Sequence, residues 1–214
     1  MKTALLSSTY FGPIQWYRKI ARYGDARVEW HDSYQKQTYR NRCIIANAHG
    51  LQTLTLPVER HTDGTIRISD HGQWRHQHWQ ALLSAYGESP FFDYYADDLA
   101  PFFERRWTFL YDYNLEICQT LCRLLDVDAT IRPTERYLAP DELPQDGSID
   151  DFRDSIHPKR PAPDADALTR PYYQVFADRH GFQPNLSILD LLFNMGPEGI
   201  FWLEEPPPSA VCHT

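Results

Sequence analysis

The sequence predicts a single α/β domain, with α+β as the alternative: a small mixed N-terminal sheet with a crossover helix, then a mostly helical C-terminal half. Three observations predict it. Residues 1–70 hold short β-branched and aromatic runs separated by turn residues, with one helical stretch after the first run. From Trp74 the apolar period becomes helical. A hydrophobic content of 42%, with 14% aromatics in 214 residues, is ample for one core.

The elements follow in order. Lys2 to Ser8 reads as a buried strand. Pro13 opens a helix carried by Ile14, Tyr17 and Ile20, and Gly24 stops it. Arg27 to Asp32 is a second strand. Cys43–Ala46 and Leu51–Val58 form a hairpin across Asn47-Ala48-His49-Gly50, and Thr65–Ser69 alternates like a further strand. Helices follow over Trp74–Tyr86, over Phe91–Phe103 with a break at Pro101, and over Trp107–Leu125. Asp126–Ile131 is a candidate return strand. Prolines and clustered aspartates mark 140–170 as a long acidic loop. Residues 171–203 close the domain with a helix over Leu186–Met195, N-capped by Asn185. A flexible tail is expected over 204–214.

The formal net charge of -8 disfavours nucleic acid as a partner, since phosphate neutralisation needs a basic face. Eight acidic residues lie between Asp141 and Asp166, which leaves room for a basic pocket elsewhere. No apolar run approaches a bilayer-spanning length. Cys43, Cys118, Cys122 and Cys212 lack CxxC spacing, so reduced thiols and a cytoplasmic location are expected. His71, His76 and His78 match no zinc pattern, and no cofactor fingerprint is present.

The run from Tyr34 to Cys43 concentrates cations, amides and tyrosines with no apolar period. Such donor density fits a loop set against a small polar or anionic ligand. The other reading is a solvated loop paired with the acidic stretch. Ser8, Tyr10 and Gln15 belong to a hydroxyl-rich turn at a helix N-terminus, which is either an anion site or a plain cap. His78 borders an apolar stripe, as a proton carrier or as a core histidine. Asn114 sits within an apolar face, where a buried amide holds a loop or lines a pocket. Ser187, Asp190 and Asn194 form a polar stripe, read as the wet face of the last helix or as a site wall.

Tyr34–Cys43, Leu54–Val58, Trp74 with His78 and Trp79, Tyr86, Pro90–Phe92 and Asn114 together resemble the WbqC-like family. Tyr172–Phe176 and Gly181–Asn194 resemble its Bacteroidetes branch. The resemblance implies a link to surface-polysaccharide (O-antigen) synthesis and, from one branch, glycine transfer. The expected function is transfer of an acyl or aminoacyl group onto a sugar-type acceptor. Lys36 and Arg40 would clamp a carboxylate or phosphate beside Ser8, Tyr10, Gln15, Asn41 and Asn114, with His78 or Asp32 handling a proton. The alternative is a non-catalytic binding or scaffold protein using the same cleft or the aromatic 91–103 segment.

Overall fold

A computed structural model of the chain describes residues 2–160, 164 and 170–204. The expected tail therefore lies outside the described residues except for Glu204, as do part of the acidic loop and Cys212.

The chain opens with β1 (Thr3–Ser7), α1 (Ile14–Tyr23) and β2 (Asp25–Glu29). The hairpin β3 (Arg42–Asn47) and β4 (Gly50–Thr55) follows, then β5 (Val58–Arg60) and β6 (Ile66–Ile68). The helical part holds α2 (Trp74–Tyr86), α3 (Phe92–Leu99), α4 (Pro101–Glu104) and α5 (Leu110–Leu124). The chain then adds β7 (Thr130–Pro133), β8 (Ile149–Asp151), α6 (Ala177–His180), α7 (Ile188–Met195) and α8 (Ile200–Glu204).

The α/β architecture agrees with the sequence, and the sheet draws on more of the chain than residues 1–70. Its order is β7-β2-β1-β8, with every neighbouring pair parallel. β8 lies inside the stretch read as an acidic loop, because the open edge of β1 offers it Thr3–Leu5 as partners, which no local pattern reveals. Pro57 splits the long strand expected over Leu51–Val58. β4 pairs with β3, and β5 pairs with β6 in a separate two-stranded sheet.

β1 is buried along its whole length, as parallel strands covered on both faces are. Ala4, Leu6, Ala26 and Val28 join Ile14, Tyr17 and Ile20 of α1 in the main core. The opposite face is polar. Arg132, Arg27, Leu5 and Asp151 stand in register across it. One step further lie Thr134, Glu29, Ser7 and Arg153. No helix among the described residues covers this row. The segment after β7 folds over it instead, with Leu138 N–H on the Glu29 carboxylate and the Tyr137 ring against the Arg153 guanidinium.

The start of α1 is sealed. Ile14 N–H donates to Leu186 O, and Gln15 N–H donates to Asn185 Oδ1. Asn185 thus serves α1, while Ser187 caps α7 through Leu189 N–H. The stripe on α7 is no wet face. Ser187, Asp190 and Asn194 are all buried. Tyr86, Tyr172 and Gln174 each donate to Asp190, whose carboxyl burial pushes above its usual range.

Candidate functional site

In parallel sheets ligands gather beyond the carboxyl ends of the strands, where strand order reverses. Here the chain runs β1, β2, β7 outward and then returns to place β8 on the other side of β1. The reversal falls between Ser7 and Asp151.

A recess sits there, lined by Ser8 and Thr9 after β1, by Phe152 and Arg153 after β8, and by Arg40. Its volume is about 10 Å³. Beside it opens a bowl of about 360 Å³ lined by His31, Asp32, Tyr137 and Asp154, with Gln35, Arg40 and Arg153 shared between the two.

Arg40 is buried on the short helical turn Tyr39–Asn41. Its Nη2 donates to Asp32 Oδ2 and to Ser7 Oγ, the latter at 3.2 Å. The Asp32 carboxylate also accepts the Tyr111 hydroxyl at 3.0 Å, and burial beside that carboxylate holds the phenol in its neutral form. Arg40 Nε and Thr9 Oγ1 are buried with no hydrogen-bond partner among the described residues. Arg153 donates to Glu29 Oε2 at 2.9 Å and to both Asp151 oxygens. Its Asp151 and Glu29 partners raise its pKa against the opposing effect of burial. His31 Nε2 lies 3.1 Å from Thr134 O. A carbonyl only accepts, so Nε2 carries the hydrogen and Nδ1 keeps a lone pair in the neutral ring.

The residues expected from sequence distribute unevenly. Asp32, Arg40 and Ser8 meet at the crevice. Asn114 lies behind it, donating to Ser8 Oγ and Arg40 O, each at 2.8 Å. Asn41 turns away to Leu56 O. Gln15 is held by Asn185 and Asp164, and the sealed N-terminus of α1 leaves its amides no anion to bind. Tyr10 is fully buried, its hydroxyl 2.8 Å from His78 Nδ1. His78 belongs to that core. Burial lowers its pKa to about 4, against a backbone hydrogen bond with Thr55 that acts the other way. Lys36 is exposed and lines neither cavity, so it does not join Arg40 in a clamp. The Arg40 charge is already met by Asp32.

Glu29, His31, Tyr111 and Arg153 were not singled out by sequence. A position at the end of β2 is the signal that marks Glu29 and His31, but it requires the sheet to be known. Among the described residues no group of three or more His, Cys, Asp or Glu side chains is placed to hold a metal ion. No helix among them is long and apolar enough to cross a membrane.

Fold and crevice define an α/β protein with a polar crevice at the carboxyl edge of a parallel sheet. The chain belongs to the WbqC-like protein family, whose family model matches residues 8–149. A Mycobacterium tuberculosis protein described as "Uncharacterized protein Rv1507c" is 28% identical over 223 residues, spanning 92% of this chain and 95% of that one. No solved structure matches the chain.

Proposed function

We propose that this chain is a small-molecule transferase moving an acyl or aminoacyl group, glycine being the simplest, onto a sugar-type acceptor in surface-polysaccharide synthesis. The observation that carries this reading is the pair of partnerless buried groups, Arg40 Nε and Thr9 Oγ1, on residues lining one recess. A recess of about 10 Å³ takes a group the size of one water. A carbonyl oxygen fits that space, and donor groups on the residues that line it suit the charge that develops on acyl transfer.

The bowl favours the acceptor over a second anion. Asp32, Asp154, Glu29 and Asp151 outnumber Arg40 and Arg153 at its wall and just behind it. A neutral polyol or an amine suits that balance. Asp32, fixed by Arg40 and Tyr111, orients the acceptor. The acceptor nitrogen attacks the acyl carbon, its proton passes to His31 Nδ1, and the leaving group departs with the electrons of the broken acyl bond. His78 has no part in this scheme. The polysaccharide link is supported by membership of the WbqC-like family. The buried free thiols Cys43, Cys118 and Cys122 support a reducing, cytoplasmic setting.

The rival binding-protein reading through residues 91–103 has weaker support. Phe92, Tyr95, Phe102 and Phe103 are buried in the core, while Tyr94 is exposed. The test is incubation with a glycyl thioester and glucosamine, followed by mass spectrometry of the sugar. Glycylated sugar that disappears in Thr9→Val and His31→Gln supports the reading. Transfer that survives both changes unaltered overturns the assigned roles.

A further inference from the structure

A third cavity lies on the polar face of the sheet, on the other side of the segment that walls the bowl. It is a groove of about 540 Å³, lined by Arg27, Arg132, Arg136, Thr134, Glu135 and Leu138. Its floor comes from strand register. Arg27 of β2 pairs directly with Arg132 of β7, and in-register residues of parallel neighbours leave the sheet on the same face. Two arginine side chains thereby leave neighbouring strands on one face, about 5 Å apart at the backbone. Like charges directly opposite in a sheet are unfavourable unless something between them compensates.

The protein compensates in part. Arg132 reaches Asp25 at 2.8 Å, and Arg136 reaches Glu142 at 2.8 Å. Both are solvent-facing pairs of the kind that exchange partners at little cost, with the two arginines 60% and 63% exposed. Arg27 is half-buried, and its side chain has no hydrogen bond or contact ion pair among the described residues. A parallel sheet normally covers such a face with a helix. Here the irregular stretch after β7 arches over it and leaves a trough.

We propose that this groove is a binding site for a soluble small molecule bearing a diphosphate. Planar guanidinium forks lining one groove match adjacent phosphate oxygens, and Arg136 from the arching segment supplies a third fork. The volume is in the range of mononucleotide-sized ligand pockets. Glu135 also lines the groove and disfavours an unselective anion surface. The assignment does not rest on the transferase reading, since none of its residues lines the recess or the bowl.

The test is calorimetric titration of the full chain with pyrophosphate. Saturable binding is expected, weakened about tenfold or more by Arg27→Gln and again by Arg136→Gln, and weakened by added salt. Arg136 is exposed, so its variant keeps the test valid if Arg27→Gln fails to fold. Arg60→Gln, on β5, serves as the control and is expected to bind as the parent does. Parallel titration with glucosamine reads the bowl separately. No pyrophosphate binding, binding unchanged by Arg136→Gln, or binding only to phosphatidic-acid vesicles would overturn the proposal.

Discussion

Arg153 Nη1 donates to Glu29 Oε2 at 2.9 Å, tying the end of β8 to the end of β2 across the strand between them. Glu29 is fully buried, and it also accepts from Thr134 Oγ1 and His31 N–H. One carboxylate therefore fixes the walls of the crevice from three directions.

Removing one partner of a buried pair leaves the other charge stranded. Arg153→Met is expected to cost about 3–5 kcal/mol in chemical denaturation. Arg153→Met with Glu29→Gln should recover part of that loss. A double variant no more stable than Arg153→Met alone would show that the pair is not coupled.

His78 gives the fold a dependence on acid. Its folded pKa is about 4, against 6.5 for the free side chain, because burial disfavours the cation. Between those values the unfolded chain binds more protons, so stability is fully present above pH 6.5 and falls as the pH drops toward 4. A gap of that size corresponds to about 3 kcal/mol. Denaturation midpoints measured over this window should slope steeply in the parent and flatten in His78→Gln. Equal slopes would remove His78 as the source.

The closing segment is held by a buried acid. Tyr172 donates to Asp190 at 2.5 Å, beside Tyr86 and Gln174. Tyr172→Phe takes away one charge-assisted donor and is expected to cost about 1–3 kcal/mol. Thermal unfolding of the variant measures this directly. A change within error would show that Tyr86 and Gln174 satisfy Asp190 unaided.

Asn185 caps a helix far away in sequence. It takes the Gln15 N–H at 2.9 Å and returns a hydrogen bond to the Gln15 side chain at 3.1 Å. Asn185→Ala should lower stability by about 1 kcal/mol, as the loss of an N-cap does. Hydrogen exchange should speed up first at Gln15. Unchanged protection there would contradict the cross-chain cap.

Local signals carried much of this fold. The run Trp74–Tyr86 shows its helix from end to end, because Gly87 and Pro90 terminate it. The hairpin around Gly50 is equally visible, since Gly50 sits at φ 115 where other residues are strained. Ile149–Asp151 was illegible. Three residues among aspartates become a strand through the free edge of β1 and not through their own pattern. The site shows the same division. Arg40 and Asp32 are eight residues apart and were found together, whereas Arg153 meets Glu29 across 124 residues. Lys36 and His78 resembled site residues by type, but exposure takes one to solvent and packing takes the other to the core. The sign of the site also escaped the sequence, because only the fold shows that Asp32 meets the charge of Arg40.

The most direct measurement is glucosamine affinity, by calorimetry, for the parent chain, for Asp32→Asn and for the N-acetylated sugar. An acidic bowl that receives an amine acceptor predicts saturable binding, weakened about tenfold by either change. Equal affinity for the amine and its acetylated form, unaltered in Asp32→Asn, would contradict the account.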